Sequence, residues 1–201
     1  MSGIFITGTD TGVGKTYITL LLAVALRAQG LSVGILKPIS CGPKNENDAI
    51  YLKKEIKLDD PLDLINPIQL KHSLSPYASA KLENRKLKLD SIFKAYKKLS
   101  RKYDLVLVEG VGGALVPITQ KYNVCDLISD LDIPAIVVAR AGLGTINHTL
   151  LTIEALRIRK IDVFGIIMNG FKYKDRAERS NSKIISELSG IPILAEVKWR
   201  R

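Results

Sequence analysis

A strand-sized apolar run, Gly3 to Thr7, leads straight into Gly8-Thr-Asp-Thr-Gly-Val-Gly-Lys-Thr16, and an apolar helical pattern begins at Lys15. No other stretch restricts the fold as strongly. A buried strand that turns on closely spaced glycines into a helix predicts that the helix packs back on the sheet and that the next strand runs parallel. The rest of the chain keeps this alternation. The first helix runs from Lys15 to about Gln29 and stops at Gly30, and the strand Ser32 to Leu36 is broken at Pro38. Further on, the pattern predicts a helix over Leu89 to Arg101, strands over Leu105 to Val108 and Ala135 to Ala139, and a helix over Thr145 to Arg159. A strand over Val163 to Met168, a helix over Arg176 to Ser189 and a short strand over Ile193 to Val197 finish the chain. Between Pro38 and Asp90 only helical stretches around Ala49 to Ile56 and Pro76 to Leu82 emerge, punctuated by Pro61, Pro67 and Pro76. Strands apolar on both faces imply a parallel sheet covered on both sides. The predicted fold is α/β, a single domain over residues 1–201 whose parallel sheet is flanked by helices. In such sheets ligands bind at the carboxyl ends of the strands, where the distinctive residues fall.

The glycine-rich turn is also the strongest chemical signal. Its backbone N–H groups can face a phosphate, and the following helix adds its positive end. Lys15 can reach β- and γ-phosphates, and the Thr16 hydroxyl can ligate Mg²⁺. The segment resembles a Walker A loop, so the domain is expected to be P-loop NTPase-like. Five residues, Thr9 to Val13, separate Gly8 from the Gly-Lys pair where the standard loop has four. A second element, Asp104-Leu-Val-Leu-Val-Glu-Gly-Val-Gly-Gly113, ends a buried strand in Glu109, which can serve as the acid that holds Mg²⁺. A third, Leu36-Lys-Pro-Ile-Ser-Cys-Gly42, puts Lys37 on the rim, where it can neutralise an oxyanion.

Composition removes other classes. With 46% hydrophobic and 25% charged residues among 201, the chain can bury an ordinary core and is not a disordered chain. Lys and Arg number 30 against 20 Asp and Glu, a formal charge of +10. The basic residues are scattered and aromatics are only 6%, too few for stacking platforms, so specific nucleic-acid binding is not expected. Cys41 and Cys125 form no CxxC pair and predict no disulfide framework. The longest apolar segments are strand-sized, far short of the ~20 residues that span a bilayer. No membrane association is expected, and a reducing cytoplasm is the expected location. His72 and His148 read as structural.

Together GTDTGVGKT, KPISCG and VEGVGG, in this order and spacing, resemble the dethiobiotin synthetases, the ATP-dependent carboxylases of biotin biosynthesis. The resemblance runs from Gly3 to about Trp199. It implies conversion of 7,8-diaminopelargonate, CO₂ and ATP to dethiobiotin, ADP and phosphate, by a homodimer with sites near the subunit interface. It makes Gly12, Val13, Gly14, Lys15, Thr16 and Tyr17 the triphosphate loop, with Gly110, Val111 and Gly112 also on the nucleotide. It makes Thr16, Asp48 and Glu109 the Mg²⁺ ligands, although Asn45 to Ala49 alone reads as a helix cap. Lys37 matches the family's active-site lysine, with Lys15 and Thr11 beside it, and Thr11, Lys37 and Cys41 match substrate contacts. Asn169, followed by Gly170, matches the adenine-recognising Asn, whose amide offers a donor and an acceptor. Leu143, Gly144 and Asn147 match the helix start that closes the substrate site near the dimer interface. Cys41 stands where the family usually has Ser or Thr, and a thiol is a weaker donor. Gly12 replaces the Glu of some members. The sequence stops at Arg201, short of the family's usual C-terminal cover over adenine, so a weaker hold on the base is expected.

That chemistry accounts for the cations. A carbamate formed on the substrate amine must attack the γ-phosphorus of a tetra-anionic nucleotide. Two like charges ~4 Å apart repel by about 1 kcal/mol in water and several times more in a drier site. Lys15, Lys37 and Mg²⁺ would offset this. The competing reading is a dimeric switch ATPase of the chromosome-partitioning type, able to use the positive charge on DNA. Such proteins carry a second lysine early in the loop, where this chain has Asp10.

Overall fold

The computed structural model describes residues 2–172 and 176–198. Its strands are β1 (Gly3–Gly8), β2 (Val33–Leu36), β3 (Ile39–Cys41), β4 (Ile68–Leu70), β5 (Leu105–Glu109), β6 (Pro117–Thr119), β7 (Tyr122–Asn123), β8 (Ala135–Arg140), β9 (Val163–Phe171) and β10 (Ile193–Lys198). The helices are α1 (Lys15–Ala28), α2 (Asp48–Glu55), α3 (Leu62–Ile65), α4 (Pro76–Leu82), α5 (Asp90–Lys102), α6 (Val124–Leu131), α7 (Thr145–Ile158) and α8 (Arg176–Ser189). Six strands form one sheet in the order β10-β9-β8-β1-β5-β2, parallel throughout, as the alternation predicts. The pairs β3–β4 and β6–β7 stand apart from it.

Period-2 side-chain alternation explains why the strands read as unbroken apolar runs. Phe5, Val106, Val108, Val137 and Ala139 join one buried cluster with Ile92 and Leu99 of α5, Ile128 of α6 and Ile153 of α7. Their neighbours Ile6, Leu105, Leu107, Ile136 and Val138 join the opposite one, with Ile18 and Ala23 of α1 and Leu52 of α2. A buried side chain of this size contributes roughly 1.5–3 kcal/mol through its lost contact with water. On α5 the other face carries exposed Lys94, Lys97, Lys98 and Arg101, so its charge run is a solvated surface.

Two regions depart from the sequence reading. No helix is expected between Gly113 and Ile133, yet α6 lies there. It is fixed by reciprocal bonds in which Asn123 Oδ1 accepts from the Asp126 amide at 3.1 Å and Asp126 Oδ2 accepts from the Asn123 amide at 2.8 Å. Arg159 holds the free Asp126 oxygen at 2.7 Å. In the stretch between Pro38 and Asp90, α2 and α4 stand where helical patterning places them. The same stretch also holds β3, β4 and α3, each too short for periodicity to register. Both cysteines are free thiols, and burial pushes each up to about 11. Among the described residues no helix is long and apolar enough to cross a membrane. Residues 199–201, the end of the family resemblance, lie outside the described residues.

Candidate active site

The site is built at the carboxyl end of the central strand. After β1 the chain turns through Gly12 and Gly14, and α1 begins on Gly14 with no side-chain cap. The N–H groups of the first turn therefore face the loop, the arrangement that binds anions. Gly14 has φ +93°, and a Cβ there would lie 2.1 Å from Asn169 Nδ2. Two constraints thus require glycine. Asn169, near the end of β9, donates to the Val13 carbonyl at 2.8 Å and ties the far strand to the loop. Lys15 is buried, and its ammonium donates to the Asp10 carbonyl at 3.0 Å.

Opposite the loop, the ends of β2 and β5 and the start of α2 meet at one ammonium. Lys37, just after β2, donates to Glu109 Oε1 at 2.6 Å, Asp48 Oδ2 at 2.7 Å and the Gly110 carbonyl at 3.3 Å. Thr16 donates to the same Glu109 oxygen at 2.8 Å. Glu109 is 0% exposed, and its Oε2 has no hydrogen-bond partner among the described residues. Glu109 lies beside Ile6 in the β1–β5 register, which places it against the loop.

Burial sets the charge states here. It works against the charged form of Lys37, but Glu109 and Asp48 outweigh it and hold the group above the ordinary lysine value. Lys15 goes the other way. Burial and then the neighbouring Lys37 pull it down to about 8, against opposing pulls from Glu109, Asp48 and Asp10. A lysine so placed is short of negative charge, which a bound polyphosphate supplies.

Thr11, Gly12, Gly14, Lys15, Thr16, Lys37, Cys41, Asp48, Glu109, Val111 and Gly112 line one cleft of about 530 Å³. Most of the residues singled out from sequence are thus brought together. Val13 and Tyr17 join the apolar cluster beneath the loop instead. Gly110 sits over Phe5, where a Cβ would come within 2.8 Å of the ring. Gly170 has a positive φ beside Asn169. Leu143, Gly144 and Asn147 do not line the cleft: Leu143, at the start of α7, is 81% exposed. His148 Nδ1 lies 3.1 Å from Arg140 Nη2, outside the cleft. Sequence reasoning misses Ser40, Asn47 and Gln69, which also line the cleft. The only signal for them is the polar character of Asn47 before a helix.

Comparison with known proteins settles the family. The model described as "AAA domain" matches residues 2–201. An ATP-dependent dethiobiotin synthetase BioD of Thermodesulfovibrio yellowstonii is 43% identical over 96% of this chain and 87% of its own length. That of Methanocaldococcus jannaschii is 50% identical over 83% of this chain and 78% of its own. The chain belongs to the dethiobiotin synthetase family. It is therefore an enzyme of the ligase class. Among solved structures, the MinC:MinD cell division protein complex of Aquifex aeolicus aligns with TM-score 0.64 at 16% identity, covering 100% of this chain and 82% of that one. A putative plasmid partition protein of Borrelia burgdorferi, bound to AMPPNP, aligns with TM-score 0.61 at 14% identity over 100% and 87%. Those likenesses establish a P-loop NTPase fold and nothing finer.

The donor set suits the metal that such a fold implies. Two carboxylates and a hydroxyl match the sparse protein ligation of Mg²⁺, a hard cation that takes its remaining ligands from phosphates and water. The unpartnered Glu109 Oε2 is a buried oxygen in need of a cation or donor. In this synthetase Lys37 supplies positive charge to the same two carboxylates.

Proposed function

We propose that the cleft carboxylates 7,8-diaminopelargonate with CO₂ and closes its ureido ring at the expense of ATP, giving dethiobiotin, ADP and phosphate. One observation carries the reading. In a member of the dethiobiotin synthetase family, Thr16, Lys37, Asp48 and Glu109 meet within 2.6–2.8 Å at the mouth of a phosphate-binding loop. Thr16, Asp48 and Glu109 would hold Mg²⁺, which supplies charge neutralisation at the β- and γ-phosphates. The loop amides and Lys15 bind the triphosphate. Lys37 and Lys15 offset the repulsion between a carbamate on the substrate amine and the γ-phosphate, and stabilise the charge that develops in transfer. Carbamate oxygen attacks the γ-phosphorus, ADP leaves, and the neighbouring amine attacks the resulting carbamic-phosphoric anhydride, expelling phosphate. Thr11 and Cys41 contact the substrate. Asn169 reads the adenine edge.

Leu143, Gly144 and Asn147 receive a role only if a second copy brings them to the site, so the reading includes a homodimer. The free N-terminus of α7 would face the substrate carboxylate there. The switch-ATPase alternative is not favoured, because Asp10 stands where such proteins place a second lysine and because Lys37 would have no task. The test is phosphate release with ATP, Mg²⁺ and bicarbonate, with and without diaminopelargonate. Release that depends on diaminopelargonate and yields dethiobiotin is expected. Substrate-independent hydrolysis stimulated by DNA would overturn the reading, and sedimentation as a monomer would remove the dimer.

A further inference from the structure

Along one wall of the cleft lies a polar cluster that the reaction as described does not use. Asn47 and Asn66 are 7% and 6% exposed. The Asn47 side-chain oxygen accepts from the Ala49 amide at 2.7 Å, capping α2, and from the Ser40 hydroxyl at 3.1 Å. Its amide donates to Asn66 Oδ1 at 2.8 Å and to Gln69 Oε1. Asn66 donates in turn to the Lys37 carbonyl at 2.7 Å and the Ile68 carbonyl at 3.2 Å. Gln69 donates to the carbonyls of Gly42 and Leu70 at 2.8 and 2.7 Å. Every nitrogen and oxygen of the three carboxamides is engaged, and a fully satisfied buried network is rigid.

The consequence is positional. Asp48 is the first residue of α2, and the cap that precedes it is fastened to Asn66 and Gln69 through the Asn47 amide. Lys37 is held on both sides of its backbone, its N–H by the Ile65 carbonyl at 2.7 Å and its carbonyl by Asn66. One cluster therefore fixes both the carboxylate and the ammonium, whose 2.7 Å contact spans the cleft floor. Capping alone would not need this. Asn, Asp and Ser cap helices about equally well, but only a carboxamide accepts at the cap and keeps two N–H donors to spend on both Asn66 and Gln69.

We propose that Asn47, Asn66 and Gln69 are positioning residues that set Asp48 and Lys37 in register across the cleft, with the Asn47 amide as the tie to Asp48. This rests on the reading of Asp48 as a Mg²⁺ ligand. The test is Mn²⁺ binding to the ADP-loaded protein by electron paramagnetic resonance, with thermal stability measured in parallel. Asn47→Ser keeps the cap and loses the amide donors. It should weaken Mn²⁺ binding on the order of tenfold while ADP affinity in EDTA stays within about twofold, because the loop is untouched. Gln69→Met, a milder cut in the same network, should shift Mn²⁺ binding the same way by a smaller factor and serves if Asn47→Ser does not fold. Asp48→Asn is the reference. If it weakens Mn²⁺ binding while Asn47→Ser and Gln69→Met only lower the melting temperature, the cluster is structural and the positioning proposal is overturned. If Asp48→Asn leaves Mn²⁺ binding unchanged, the ligand reading fails and the proposal falls with it.

Discussion

Lys37→Gln tests the centre of the site in two independent ways. Lys37 is 3% exposed and faces a carboxylate that is 0% exposed, so its loss strips a buried anion of the one cation in ion-pair contact with it among the described residues. Breaking such a pair costs roughly 3–5 kcal/mol. Here the Thr16 hydroxyl still donates to Glu109, glutamine can supply one N–H, and Asp48 is 43% exposed, so about 2–4 kcal/mol is expected. For a chain of this length that lowers Tm by roughly 5–15 °C. The assay is thermal unfolding by circular dichroism in EDTA, repeated with Mg²⁺ and a non-hydrolysable ATP analogue. The gap from wild type should narrow in the second condition, because a bound cation replaces the missing charge. Turnover to dethiobiotin should fall by ~10²-fold or more with nucleotide affinity retained, the loss expected for a preorganised charge at the reacting centre. Arginine should not rescue, since its planar fork is larger and aimed differently. A loss below ~1 kcal/mol in EDTA would show that Glu109 does not depend on Lys37, and normal turnover would refute its part in the reaction.

Glu109→Gln and Asp48→Asn should each raise the Mg²⁺ concentration needed for half-maximal activity, and an unchanged titration in both would make these carboxylates structural. Lys15 titrates near 8 against 10.5 for an ordinary lysine, so ATP affinity should fall above about pH 8, at most ~tenfold per pH unit. The sign for folding is opposite. The buried charge weighs against the native state below about pH 8, and that penalty fades as pH rises toward 10.5. ATP titration calorimetry from pH 7 to 10 checks the first statement, and a flat profile refutes it. Gly14→Ala should cost about 1–3 kcal/mol and loosen the Asn169 latch, measured as weaker nucleotide binding, because a Cβ meets the amide in a left-handed backbone. DNA binding should be weak and vanish by physiological salt in a filter-binding titration, and a salt-resistant complex would refute the reading of the basic surface.

The parts of the site that sit in contiguous motifs were readable in advance. Gly8 to Thr16 and the strand running into Glu109 each carry their own signal, since apolar run, turn and chemistry lie within ten residues. Asp48 is different. Alone it reads as part of a helix cap, and the structure agrees that Asn47 is the cap, so its place opposite Lys37 follows only from family resemblance and from the fold. The carboxamides of Asn66 and Gln69 had no local signal at all. Their shared partner Asn47 lies about 20 residues away, and Asn66 just follows the four-residue α3 while Gln69 lies in the three-residue β4. Helix α6 was hidden because its cap uses Asn123 and Asp126, a pair less diagnostic than Ser with Glu. For Leu143, Gly144 and Asn147 a single chain supplies no counterpart.

The strand order also bears on how the protein emerges during synthesis. The first two strands, β1 and β2, are not neighbours: β5 lies between them. Leu36 therefore waits for Glu109, about 70 residues later, before either early strand has its partner in the sheet. At ~5–20 residues per second the wait is roughly 4–15 s, with two bare apolar segments outside the ribosome. Strand edges and apolar faces exposed for that long are open to wrong pairing. The arrival of β5 is what ends that exposure. Ribosome-bound intermediates halted before Glu109 should be protease-sensitive and unable to retain nucleotide, however complete their loop sequence.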